Sequence, residues 1–107
     1  MYTVLRYQTR EGQDVFGQWL AGLRDLKARA RIAVRIDRLA AGNLGDCKAL
    51  AGGVAELRID YGPGYRVYFA RVGGVVLLLL GGGDKRSQQK DIARAVENLL
   101  DYKRRLQ

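Results

Sequence analysis

Val54-Ala55-Glu56-Leu57-Arg58-Ile59-Asp60-Tyr61-Gly62-Pro63-Gly64-Tyr65-Arg66-Val67-Tyr68-Phe69-Ala70 reads as two strands about a turn. Apolar and polar side chains alternate on both sides of Gly62-Pro63-Gly64, which is the period of a pleated strand, and Gly-Pro-Gly is a strong hairpin signal. The predicted strands are Val54 to Tyr61 and Tyr65 to Ala70. With Tyr61 facing Tyr65 across the turn, Asp60 falls opposite Arg66, Arg58 opposite Tyr68 and Glu56 opposite Ala70. Alternation then sends Leu57, Ile59, Val67 and Phe69 to a core face, and Arg58, Arg66, Tyr68 and the two carboxylates to the other. Asp60 is expected to orient the Arg66 guanidinium; otherwise Asp60 and Glu56 read as ordinary cross-strand partners. Two guanidinium groups and a phenol on one sheet face suit single-stranded RNA, where Arg binds phosphate and a ring stacks on an unpaired base.

Upstream, Tyr2 to Tyr7 reads as a first strand. Val15, Phe16, Trp19, Leu20 and Leu23 recur at helical spacing and predict a helix from about Gln13 to Leu23, weakened by Gly17 and Gly22. Asp25 caps a second helix running to about Ala41, with Ile32, Ile36 and Leu39 inward and Gly42 as its left-handed stop. So few residues separate the two that they form an αα hairpin, placed over the core face of the sheet. A polar loop from Gly42 to Lys48 leads into the β hairpin. Downstream, Val75 to Leu80 is apolar at every position, the pattern of a strand buried on both faces. Gln88 to about Arg105 returns to helix, with Ile92, Ala95, Val96, Leu99 and Leu100 as its stripe and Ser87 as its cap. This last helix is expected to dock on the sheet beside the basic face. The order β-α-α-β-β-β-α in 107 residues predicts a single α+β domain, residues 1–107, with an antiparallel-rich sheet.

Charge and composition narrow the chemistry. Apolar residues make up 48% of the chain, so a packed core is expected rather than disorder. The net charge is +8, and 14 of the 19 cations are Arg, whose planar fork matches phosphate oxygens in pairs. Such an excess attracts polyanions and predicts salt-sensitive binding. There is no His, and Cys47 is alone. The commonest general base and the commonest metal ligand are therefore missing, a disulfide within the chain is excluded, and no cofactor or metal cluster is expected. Arg6 and Arg10 interrupt the N-terminal segment, so no signal peptide is read there. The apolar run Val75 to Leu80 is too short to cross a bilayer, and the expected location is the cytoplasm.

RNA can be cut without His or metal when its own 2′-hydroxyl is the nucleophile. The protein must then take up that proton, stabilise a dianionic phosphorane and protonate the leaving oxygen. Lys48, Arg58, Arg66, Tyr68 and Lys85 are the candidate catalytic groups, with Tyr68 or a lysine of lowered pKa for proton transfer. Gly81-Gly82-Gly83-Asp84-Lys85-Arg86 follows the apolar strand. Its spacing and the absence of Ser/Thr after the Lys exclude a P-loop. The three glycines read either as a close backbone approach to a ligand or as a flexible exit from the strand. Gln88 and Lys90 lie in the first turn of the last helix, where a cation opposes the helix dipole.

The run Gly52 to Phe69, together with Leu79-Leu80-Gly81-Gly82-Gly83-Asp84-Lys85-Arg86-Ser87-Gln88-Gln89-Lys90-Asp91-Ile92, resembles the RelE/ParE superfamily. Within it, the chain is most similar to the HigB-like addiction module killer proteins; Gly45-Asp46-Cys47-Lys48 matches more weakly. The resemblance implies a RelE-like fold and a type II toxin that cleaves mRNA in the ribosomal A site, blocked by a cognate antitoxin of helix-turn-helix type. Carried over by position, Lys48, Arg58, Arg66 and Lys85 are the RNA-contacting basic residues, joined by Arg86, Gln88 and Lys90. Some HigB-type members use a C-terminal His or Tyr; here His is absent and Tyr102 is the one Tyr of the last helix. ParE-like inhibition of DNA gyrase, with no nuclease activity, is the alternative the same resemblance allows.

Overall fold

The computed structural model describes residues 1–107. Strand β1 (Thr3–Arg6) is followed by helices α1 (Val15–Ala21) and α2 (Leu26–Ala40), then by strands β2 (Cys47–Ala49), β3 (Ala55–Ile59), β4 (Tyr65–Val72) and β5 (Val76–Gly83), and finally by α3 (Gln88–Arg105). The Asp25 carboxylate accepts hydrogen bonds from the N–H groups of Lys27 (2.9 Å) and Ala28 (3.2 Å), which satisfies two donors that no helical carbonyl reaches. Beyond the other end of α2, Gly42 adopts a φ of 96° and turns the chain away. The five strands form one mixed sheet in the order β1-β5-β4-β3-β2, with β1 parallel to β5 and every other pair antiparallel.

Helices cover both faces. On one, Phe16 of α1 and Ile32 and Leu39 of α2 pack against Leu57, Ile59, Val67, Phe69, Leu77 and Leu79. On the other, Ala95 and Leu99 of α3 pack against Val54, Tyr68, Ala70, Leu78 and Leu80. The unbroken apolar run in β5 follows from this arrangement, since Leu77 and Leu79 serve one core and Leu78 and Leu80 the other. No helix is long and apolar enough to cross a membrane.

Three details differ from the sequence reading. First, the β3–β4 register is Ile59 to Tyr65, Arg58 to Arg66, Leu57 to Val67 and Glu56 to Tyr68, which is two residues off the predicted pairing. Tyr61 leaves the ladder because its hydroxyl donates to Asp25 (2.9 Å) and the Arg31 guanidinium lies over its ring (4.6 Å). A shift of two keeps every side chain on its predicted face, so the division into Leu57/Ile59/Val67/Phe69 and Glu56/Arg58/Arg66/Tyr68 stands. Second, Cys47–Ala49 is a strand paired with β3 and not the end of a loop. Three residues are too few to show a period of two.

Third, Gly81 to Gly83 continue β5, opposite Tyr68, Val67 and Arg66, and do not form a flexible exit. Between the pairs Tyr68–Gly81 and Phe69–Leu79, Leu80 is an extra residue, a bulge whose carbonyl accepts from the Asn98 amide (3.0 Å). Glycine is needed here for close approach: a methyl on Gly82 would overlap the Trp19 ring, and one on Gly83 the Asp91 carboxylate. Ser87 precedes α3 as predicted, but its hydroxyl donates to Asp91 Oδ2 (2.5 Å) and makes no capping bond to the backbone.

The far half of α3 is tied to the end of β1. The Tyr7 hydroxyl donates to Asp101 (2.6 Å), and Arg105 lies 3.0 Å from the same carboxylate. The Tyr7 hydrogen bond, helped by Arg105 and Arg10, holds the Asp101 carboxyl below its ordinary 3.8, while burial and Asp101 raise the Tyr7 phenol above its ordinary 10.0. The lowered acid stabilises the fold above pH 3.8 and loses that contribution as pH falls through its folded value. The raised phenol contributes below pH 10.0 and loses it as pH rises further.

Two outcomes are expected. In urea unfolding, the stability gap between wild type and Tyr7→Phe is flat at neutral pH and narrows below pH 3.8 and above pH 10.0; a gap that does not depend on pH would exclude the Tyr7–Asp101 link. Gly82→Ala lowers the unfolding free energy by about 1–3 kcal/mol, because the Trp19 ring must move. An unchanged denaturation midpoint would mean that α1 does not rest on this strand.

Candidate nucleic-acid interface

Cross-strand pairing sets two rows on the α3 side of the sheet. Lys48, Glu56, Tyr68 and Gly81 make one; Arg58, Arg66 and Gly83 make the next. Directly opposed residues share a face, so Lys48, Arg58 and Arg66 are brought together from three different strands. Lys85, just past β5 in a short 3₁₀ turn, joins them at the hairpin end. A point beside Gly64 has Arg66 Nη1 at 3.3 Å and Lys85 Cβ at 3.7 Å.

Glu56 organises the cluster. It is 1% exposed, and a buried carboxylate needs charged and hydrogen-bonding partners. Arg66 Nε lies 3.1 Å from one oxygen, which also accepts from Gln88 Nε2 (2.8 Å), and Arg58 Nε lies 4.0 Å from the other. The same Arg58 Nε lies closer to Asp46 (3.2 Å), and Arg66 Nη1 donates to the Gly64 carbonyl (2.8 Å). Neither Nε is aligned for a hydrogen bond, so these contacts are ionic. The Arg58 side chain remains 39% exposed against 12% for Arg66, which makes Arg58 the more open guanidinium. A cleft of about 190 Å³ opens here, lined by both arginines with Asp46, Asp60, Gly64 and Tyr65.

The remaining predicted residues divide. Lys48, Lys85 and Lys90 are exposed and in no ion pair. Arg86 is exposed and 3.4 Å from Asp84, whose other oxygen accepts from the Arg86 N–H. Gln88 faces the cluster from α3, but its amide is engaged by Glu56 and orients that carboxylate. Tyr68 requires a correction. It is fully buried beneath α3, with no partner for its hydroxyl, and cannot stack on a base while α3 is docked. Burial, with the Glu56 and Asp91 carboxylates adding to it, pushes its phenol strongly up, so it is a poor group for proton transfer. Asp60 is also corrected: it is exposed and does not pair with Arg66, whose carboxylate is Glu56.

Tyr102 lies fourteen residues along α3 from Gln88, roughly 21 Å down the axis, beside Arg6 and Arg105 at the other end of the sheet. Cys47 on β2 donates its thiol to the Leu44 carbonyl (3.0 Å), and burial raises its pKa, which is the wrong direction for a nucleophile. Sequence reading missed Glu56 as the hub and Asp46 as the second carboxylate. A signal for Glu56 was present, since the period of two puts it beside Arg58 on one face. Its burial was not visible, because that depends on where α3 lies.

Fold and site thus define a small α+β protein with helices on both faces of a mixed sheet and a cluster of cations, fixed by a buried carboxylate, at one end. No protein-family profile matches the chain. It belongs to the same family as an uncharacterized protein of Haemophilus influenzae (strain Rd), with which it is 52% identical over 80 residues, 75% of this chain and 81% of the relative.

Glu56→Ala is expected to destabilise the fold by about 3 kcal/mol, the low end for breaking a buried pair because Arg66 keeps some exposure. Combined with Arg66→Met, the loss is expected to be smaller than the sum of the two singles by at least about 1 kcal/mol in chemical denaturation. Additive losses would mean that the 3.1 Å pair contributes nothing of its own.

Proposed function

We propose that this chain is a toxin of RelE/HigB type, a ribosome-dependent endoribonuclease of a type II toxin–antitoxin pair, and that its architecture is RelE-like. The observation that carries the reading is the side-by-side placement of Arg58 and Arg66 across β3 and β4, fixed by Glu56, with Lys48 and Lys85 unneutralised on either side. The order of two N-terminal helices, a mostly antiparallel mixed sheet and a C-terminal helix is in keeping with it, as is the net charge of +8.

In the proposed reaction the 2′-oxygen attacks the adjacent phosphorus and the bond to the 5′-oxygen breaks, leaving a 2′,3′-cyclic phosphate and a 5′-hydroxyl. Arg58 and Arg66 donate to the phosphorane oxygens as charge develops. One such donor, aimed and fixed in advance, is worth about 3 kcal/mol. With Tyr68 buried and Tyr102 at the far end, Lys48 and Lys85 are the exposed groups left to take the 2′-proton and to return one to the leaving oxygen. The expected partners are ribosome-bound mRNA and a helix-turn-helix antitoxin, in the cytoplasm.

The test is expression of the chain alone and with the product of its neighbouring gene. Expected are growth arrest, translation-dependent cuts in mRNA mapped by primer extension, and protection by the neighbour. Arg58→Ala and Arg66→Ala should slow cutting roughly 10²–10³-fold, and Lys48→Ala and Lys85→Ala should also slow it with circular dichroism unchanged. DNA breaks with intact mRNA would favour gyrase inhibition instead. Normal growth at full expression would remove both.

A further inference from the structure

A second set of cations lies outside the cluster around Glu56. Lys27, Arg31, Arg35 and Arg38 fall at i, i+4, i+8 and i+11 on α2, one stripe about 16 Å long. They line an open groove of about 520 Å³, in which Asp60 is the single carboxylate. None of the four belongs to an ion pair, although six other arginines of the chain do.

The groove is joined to the Arg58/Arg66 cleft. Ile59 and Asp60 line both. β2 pairs only as far as Leu57, and the Asp46 carbonyl takes the Arg58 N–H, so the edge of β3 is open from Ile59 onward. Arg35 ties the two sides together, its Nη1 donating to the Arg58 carbonyl (2.7 Å). Cations therefore follow one another from the α3 side of the sheet, around its free edge and along α2.

We infer that the α2 groove is a second RNA-binding site, which takes the phosphate backbone of base-paired RNA next to the strand held at Arg58 and Arg66. The choice of RNA as the polyanion rests on the function proposed above. The groove itself selects the class of contact. Its one neighbouring aromatic, Tyr61, has one ring face covered by Arg31, its hydroxyl held by Asp25 and the rest of the ring packed partly against the core, so it is a poor platform for stacking an unpaired base. Base-paired RNA needs no such platform and is recognised through shape and phosphates. An acidic helical peptide would need a row of apolar anchors. Of the apolar residues lining the groove, Val34 is the one large side chain that is exposed, while Ile59 is 4% exposed.

The experiment measures binding of a fluorescein-labelled RNA stem-loop by anisotropy across a salt series, for wild type and the double variant Lys27→Gln/Arg38→Gln. Both positions are exposed and unpaired, and circular dichroism checks that the fold is kept. The double variant is expected to bind several-fold more weakly, with the slope of log affinity against log salt shallower by about 2. Single-stranded oligouridine should lose less. An unchanged slope, no stem-loop binding by wild type, or a polyglutamate peptide that outcompetes the stem-loop would each overturn the inference. The cleavage reading fails separately. Normal stem-loop behaviour without mRNA cutting leaves the groove and removes the nuclease, and cutting with an unaltered slope does the reverse.

Discussion

The central strands β4 and β5 are covered on both faces, and this constraint shapes the rest of the molecule. A strand buried on both sides must be apolar at successive positions, as Leu77 to Leu80 are, with about 1.5–3 kcal/mol gained per large side chain removed from water. It also needs two sets of helices, and a chain of this length supplies them from opposite ends: α1 and α2 before the hairpin, α3 after it. Polar chemistry is then pushed to where the covering layers run out, at the hairpin end of the sheet and along its β3 edge.

Glu56 sits at that boundary. Its backbone belongs to the ladder under α3, yet its carboxylate meets guanidinium groups from its own strand and the next, and the Gln88 amide from α3. One buried negative charge thus fixes two cations that would otherwise repel each other, and joins the start of α3 to the basic end of the sheet. Charges assembled this way are held in place in advance, which is the property the proposed phosphate site would require. The cost is borne by the fold, because either partner alone would be an uncompensated charge in a mostly dry place.

Local patterns made much of this legible. Asp25 and Gly42 marked the ends of α2, the Leu77–Leu80 run marked a doubly covered strand, and alternation from Glu56 to Phe69 assigned each hairpin residue to its face. The register was not legible, because it turned on Tyr61 leaving the ladder for Asp25 and Arg31, two partners on another element. Gly81 to Gly83 were ambiguous for a similar reason. Glycine suits a mobile loop and a tightly packed strand equally well, and only the position of Trp19 and Asp91 distinguishes them.

The sequence by itself determined which residues share a face of their element, since periods of 2 and 3.6 are properties of the backbone and need no tertiary partner. That settled the type of every strand and α-helix but β2, the two faces of the hairpin and the cationic character of one of them. Only the tertiary structure decided that Tyr68 is enclosed, that Glu56 and not Asp60 holds Arg66, and that Lys48 belongs to the sheet. The first depends on α3, which lies beyond β5 in the chain, and the other two on which residues face each other across adjoining strands; neither leaves a periodic trace in the order of residues.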